Sequence, residues 1–174
     1  MLNRIPTHYL PWIVLAASVA TLGGAYFFQY ALGYAPCHLC LQERIPYVFA
    51  IGAALVAGIL SREANLGLAP VIILAFCAIA FAIGTALSGY HAGVEYGWWP
   101  GPSDCTGVGL VANSLDSFHA ELQSGMRLPQ CDKAAWTLFG VSLAGYNMAI
   151  SLILTVLSAL APLRYWRESH GEAV

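Results

Sequence analysis

Charge is scarce in this chain. Lys, Arg, Asp and Glu make up 9% of its 174 residues, against roughly 25% in ordinary soluble domains. Seven Lys+Arg with nine Asp+Glu cannot coat a soluble domain of this length. Basic clusters are lacking as well: the net charge is -2 and no face is rich in Lys and Arg, so nothing here can hold a run of phosphates, and nucleic acid is excluded as a partner. No repeat or low-complexity tract occurs. Polar residues inside the apolar stretches are few, Gln29 and Asn147 with scattered Ser and Thr, which disfavours a transport path.

What the chain has instead is apolar residues, 59% of the total, with a mean hydropathy of +0.67. Most of it belongs in lipid. A helix crosses a bilayer in roughly 17–25 residues, and four stretches qualify, at about 9–32, 42–60, 68–88 and 136–160. The second is apolar only from Ile45 and is extended back because Ile45 to Leu60 alone is short. Residues 89–135, with Pro100, Pro102, Pro129, many Gly and five of the nine acids, form a long loop outside the bilayer. The fold expected is an all-α, four-transmembrane-helix bundle making one membrane domain over 1–174. Arg4 followed by an apolar run and Ser18-Val19-Ala20 resembles a signal peptide, but the run continues past that point as in a retained span.

Arg4, Arg62, Arg164 and Arg167 fall on one side, which the positive-inside tendency makes cytoplasmic, with both termini. The outer segments then carry six acids (Glu43, Glu95, Asp104, Asp116, Glu121, Asp132) against three bases (Arg44, Arg127, Lys133). Trp98, Trp99 and Trp136 fall where interfacial aromatics are expected. Leu110, Val111, Leu115, Phe118 and Leu122 recur near a helical period, as in a short helix of the loop.

Of five cysteines, four face outward: Cys37 and Cys40 as a Cys-x-x-Cys before the second span, Cys105 and Cys131 in the long loop. Disulfides persist in such a compartment. Four cysteines allow three pairings, which sequence does not choose among; 37–40 with 105–131 is favoured. A disulfide-stapled binding or transport protein is one reading. A Cys-x-x-Cys closes a very small ring, however, and constrains the unfolded chain little, so exchange chemistry suits it better. Zinc is another reading, with His38, Cys105 and Cys131 completing the ligands, and haem held by His38 and His91 a third. Cys77, among apolar neighbours in the third span, is a small buried hydrophobe.

A thiolate is stabilised beside a helix N-terminus or a cation, which makes its sulfur a readier electron donor; Cys40 fits this. If the helix has begun by Cys40, Arg44 lies four residues on and can reach that sulfur or an acceptor beside it, although Pro46 would be tolerated only in a first turn. His91 is able to hydrogen-bond a quinone carbonyl or to sit at the interface.

Taken together, Cys37-His38-Leu39-Cys40 with Glu43-Arg44, then Tyr90-His91-Ala92-Gly93-Val94-Glu95, Trp98-Trp99-Pro100-Gly101-Pro102 before Cys105, and finally Cys131, resembles the DsbB family of bacterial inner-membrane quinone reductases. The vitamin K epoxide reductase family also uses four cysteines, but there the Cys-x-x-Cys follows the loop pair. The DsbB resemblance implies that Cys105, bonded to Cys131, forms a mixed disulfide with a periplasmic DsbA-like dithiol protein. Electrons would pass to Cys37–Cys40 and from Cys40 to ubiquinone or menaquinone, with Arg44 and His91 near the quinone.

Overall fold

The computed structural model describes residues 7–62, 68–102 and 131–169, and the side chains of these up to 166. Cys105 and the loop stretch from Leu110 to Leu122 lie outside the described residues. A turn of 3-10 helix, Thr7–Tyr9, leads into α1 (Leu10–Tyr30). Then come α2 (His38–Gln42), α3 (Ile45–Leu60), α4 (Ala69–Glu95), a hairpin of β1 (Thr137–Leu138) and β2 (Val141–Ser142), and α5 (Leu143–Ser169).

Four helical stretches are long and apolar enough to cross a membrane: Thr7–Tyr30, His38–Leu60, Ala69–Glu95 and Leu143–Trp166. α4 packs most extensively on α5 and also on α3; α3 packs on α1, and a smaller contact between α1 and α5 closes the bundle. The seam is lined by Leu10, Val14, Tyr47, Ala50, Ala54, Ala57, Leu74, Cys77, Phe81, Leu154 and Ala161. Cys77 is thus a core residue. The large apolar side chains that stay exposed, such as Phe49, Phe76, Ile83 and Ile153, cover the outside of the bundle as lipid requires.

Proline sets the helix starts. Pro11, Pro46 and Pro70 all stand in first turns, where the missing N–H has no intrahelical partner to lose. Pro46 also explains why α2 and α3 are two helices. It has no N–H to donate to the carbonyl four residues back, so the chain makes one turn at Glu43-Arg44 and restarts at Ile45.

Three boundaries differ from those expected, one of them the end of α5, which runs to Ser169 and not to about 160. The third helix does not end at Ser88 but runs to Glu95, so Gly89, His91 and Gly93 are helical. Its stop is Gly97, at φ 72°. Gly97 N–H donates to Val94 O and Trp98 N–H to Gly93 O, the paired bonds of a Schellman cap. The Trp99 side chain then folds back, its Nε1 donating to Tyr90 O and its ring stacked on Tyr90. The fourth helix begins at Leu143, not near Trp136. Phe139 and Gly140 both have positive φ, which gives the tight hairpin turn pairing Leu138 with Val141. Ser142 then caps α5, its Oγ accepting the Gly145 N–H. Tyr96 fastens this hairpin to the end of α4 by donating to Gly140 O and accepting from Ser142 N–H.

Candidate active site

Where α2 meets the C-terminal end of α4, Cys37 caps the short helix. Its backbone is extended and its Sγ accepts the Cys40 N–H at 3.2 Å, as a small polar side chain does at this position. One turn on, Cys40 Sγ lies 2.8 Å from Cys37 Sγ, and the two stand as free, hydrogen-bonded thiols. The sequence pointed to Cys40 as the sulfur served by a helix start; the structure gives that place to Cys37. Hydrogen bonding between the two thiols, and then the Cys40 N–H pointed at Cys37, hold the Cys37 thiol below the ordinary range despite burial and the charges of Glu43 and Glu95.

Cys131 is fully buried, disulfide-bonded, and part of one apolar cluster with Cys37, Leu39 and Val94. Its sulfur, that of Cys37 and a nitrogen of His91 all lie within 4.8 Å of one another. Such a trio has metal-ligand chemistry on paper. A sulfur in a disulfide carries no thiolate to ligate, so the arrangement is a thiol pair facing a disulfide.

His91 is buried and has both ring nitrogens turned to protein groups: Nδ1 is 2.6 Å from Glu43 Oε1 and Nε2 is 3.5 Å from Cys37 Sγ. That leaves no nitrogen for haem. Glu95 Oε1 lies 3.9 Å from Nε2. Glu43, also buried, accepts a second bond, from Asn147 Nδ2 at 2.6 Å. Asn147 Nδ2 further reaches Ser88 Oγ, while its Oδ1 accepts from Tyr47 OH, which meets Ser151 Oγ. The chain of bonds therefore joins α3, α4 and α5 behind the thiols.

Arg44 does not face the sulfurs. Its Nη1 donates to Gln29 Oε1 at 2.6 Å and its guanidinium stands 5.0 Å over the Tyr26 ring, both on α1. Of the residues singled out from sequence, Cys37, Cys40, His91 and Cys131 come together; Arg44 is adjacent but turned toward α1, and Cys105 is outside the described residues. Sequence reading missed Glu43 and Asn147 as members of the site. A signal existed: polar residues inside apolar spans are functional by default, and the two such residues noted, Gln29 and Asn147, are the partners of Arg44 and Glu43.

Replacing Asn147 with Leu would leave the second Glu43 oxygen unpaired and Ser88 Oγ without this partner, while Tyr47 OH keeps Ser151 Oγ. Buried groups left unpaired cost about 1–3 kcal/mol each. A lowered Tm in detergent is expected, and an unchanged Tm would show that these bonds contribute nothing net.

A multi-pass bundle with a dithiol held against a buried disulfide at one end defines a class, the membrane thiol–disulfide oxidoreductases. Within it, the chain belongs to the family of disulfide bond formation protein DsbB, whose family model matches residues 7–161. It is 29% identical over 152 residues to the uncharacterized protein RP370 of Rickettsia prowazekii, covering 85% of this chain and 83% of that one. It is 28% identical over 169 residues to disulfide bond formation protein B of Haemophilus influenzae, 92% of this chain and 89% of that one. A stretch of 55 residues is 46% identical to the Aeromonas salmonicida protein of the same name, 31% of this chain and 32% of that one. No solved structure matches.

Proposed function

We propose that this protein is a protein-dithiol:quinone oxidoreductase that reoxidises a DsbA-like thioredoxin-fold partner. The partner's dithiol reduces Cys105–Cys131. Cys131 hands the electrons to Cys37–Cys40, and Cys40 delivers them to ubiquinone or menaquinone. The observation that carries this reading is the Cys37 sulfur, within reach of both Cys40 at 2.8 Å and the disulfide-bonded Cys131 within 4.8 Å. Exchange proceeds by a thiolate attacking a disulfide sulfur: once its own bond is reduced, the Cys131 thiolate attacks Cys37 of the oxidised Cys37–Cys40 pair and Cys40 leaves toward the quinone.

The residues around Cys40 fit a quinone. Cys40 is half-buried where Cys37 is 4% exposed, and Leu41 next to it and Tyr26 under the Arg44 guanidinium are open to the outside of the bundle. Arg44 uses one N–H on Gln29, and guanidinium has further donors for a carbonyl oxygen. When bound, the quinone supplies a sink for two electrons and two protons. In a bacterial inner membrane the cysteines would face the periplasm and both termini the cytoplasm. Arg62 and Arg164, at the end of the bundle away from the cysteines, support that orientation.

The test is an assay with purified chain, a reduced thioredoxin-fold dithiol protein and a short-tailed quinone. Quinone absorbance is expected to fall in step with loss of partner thiols. A wild-type chain that leaves both quinone and partner unchanged overturns the reading.

A further inference from the structure

We propose that Glu43 is a positioning residue that sets His91 as the base for Cys37, so that His91 takes the Cys37 proton when the Cys37–Cys40 bond closes and returns it when the bond opens. The closing step rests on the function proposed above; the acid–base relation between His91 and Cys37 does not.

A neutral imidazole carries one N–H and one lone pair. Which nitrogen holds the hydrogen is decided by what the other groups accept. Glu43 Oε1, 2.6 Å from Nδ1, is an acceptor and takes that hydrogen. The lone pair is then on Nε2, and what Nε2 meets at 3.5 Å is Cys37 Sγ. Asn147 donates to the other oxygen of Glu43, so the carboxylate is held from both sides and cannot swing away from the ring without breaking a second bond. The order thiol, imidazole, carboxylate, amide is the layout by which a nucleophile is activated and its base oriented.

The groups facing Cys37 can be named from every side. From its own segment they are Cys40 and Glu43, from α4 His91 and Glu95, and from beyond the loop the bonded Cys131. Only His91 among them is a base that can become a cation. The imidazolium it forms stands between two carboxylates, Glu43 at 2.6 Å and Glu95 at 3.9 Å, which stabilises it beside the thiolate. Glu95 Oε2 is buried without a hydrogen-bond partner among the described residues.

The balance is simple. Two thiols become a disulfide by giving two electrons and two protons to the quinone. The S–H bond of Cys37 breaks, its proton is held on Nε2, and the freed electron pair makes the S–S bond to Cys40, whose own S–H bond breaks as that electron pair and its proton pass to the quinone. The Cys37 proton then follows to complete the quinol.

The experiment measures alkylation of Cys37 against pH by iodoacetamide, with fragmentation mass spectrometry separating it from Cys40, on the reduced full-length chain without quinone or partner. The thiolate is the reacting form. A depressed inflection means that alkylation persists as pH falls below the ordinary thiol range and is lost only through the lower value. Glu43→Gln and His91→Gln should each move the inflection upward, slowing alkylation at pH 6.5 about tenfold for a displacement of about one unit. Glu43→Asp should restore part of it, and Arg44→Met should leave it unmoved, because that guanidinium faces α1. A profile unmoved in both Glu43→Gln and His91→Gln overturns the proposal, as does a displacement that Asp does not partly reverse. Quinone reduction failing in the wild type would overturn the function above while leaving the alkylation profile to decide this inference.

Discussion

Cys37→Ser is expected to abolish turnover with quinone while leaving a single round of partner oxidation intact. Cys37 is the sulfur common to both contacts, 2.8 Å from Cys40 and within 4.8 Å of Cys131. Serine keeps the cap on α2 and the hydrogen bond from Cys40 N–H, so the fold should survive. What is lost is the nucleophile, and removing one from an enzyme that works by covalent exchange costs many orders of magnitude. Stopped at the loop disulfide, each chain should oxidise about one partner dithiol and no more. Acid-trapped thiol counts and quinone absorbance would read this together. Cys40→Ser should behave differently: Cys37 then has Cys131 as its remaining nearby partner, and a Cys37–Cys131 bridge should accumulate and be found in peptide maps. Multiple turnover by Cys37→Ser would remove Cys37 from the relay.

Arg44→Met is expected to slow quinone reduction by roughly 10²–10³, the usual loss when one preorganised donor to a developing oxyanion is removed. The apparent KM for quinone should rise, and exchange between the partner and the loop disulfide should be unaffected. The geometry makes the expectation more specific than spacing alone does. Since Arg44 is held by Gln29 and lies over Tyr26, Gln29→Leu should reproduce a fraction of the loss by letting the guanidinium wander. Arg44→Lys should recover little, because a point charge cannot keep the planar contact with Tyr26 and the Gln29 bond together. Wild-type rates for Arg44→Met across quinone concentrations would make Arg44 an anchor of α3 on α1 and nothing more.

The four spans were legible in the sequence because lipid imposes one requirement, an unbroken apolar length, that any stretch either meets or does not. Their ends were less so. Gly89 and Gly93 fall in the 89–135 stretch expected as loop, yet both are helical. A Cβ at Gly93 would collide with the Trp99 ring, so that glycine is there to let Trp99 return over the helix, and the real stop is Gly97. Trp136, just before a hairpin, and Leu138, Phe139 and Val141 within it extended the fourth apolar run, since hydropathy does not register the positive φ at Phe139 and Gly140. The cysteines and His91 were visible as chemistry. Their support was not: Glu43 and Asn147 are 104 positions apart, and only the packing of α3 against α5 through α4 makes them neighbours. The direction of Arg44 escaped for a related reason, as the turn forced by Pro46 rotates it off the face that a continuous helix would have given it.

The bonds running from His91 through Glu43 to Asn147 and Tyr47 bear on how such a sequence can change over time. Any one of these residues replaced alone strands its neighbours in a dry interior, whereas a second replacement at the stranded partner should cost far less than its own single effect. The energies are then strongly non-additive. Epistasis of this kind confines the site to rare, paired steps, so that in a set of diverged sequences positions 43, 91 and 147 should vary together or not at all, while the lipid-facing Phe49, Phe76 and Ile153 drift independently.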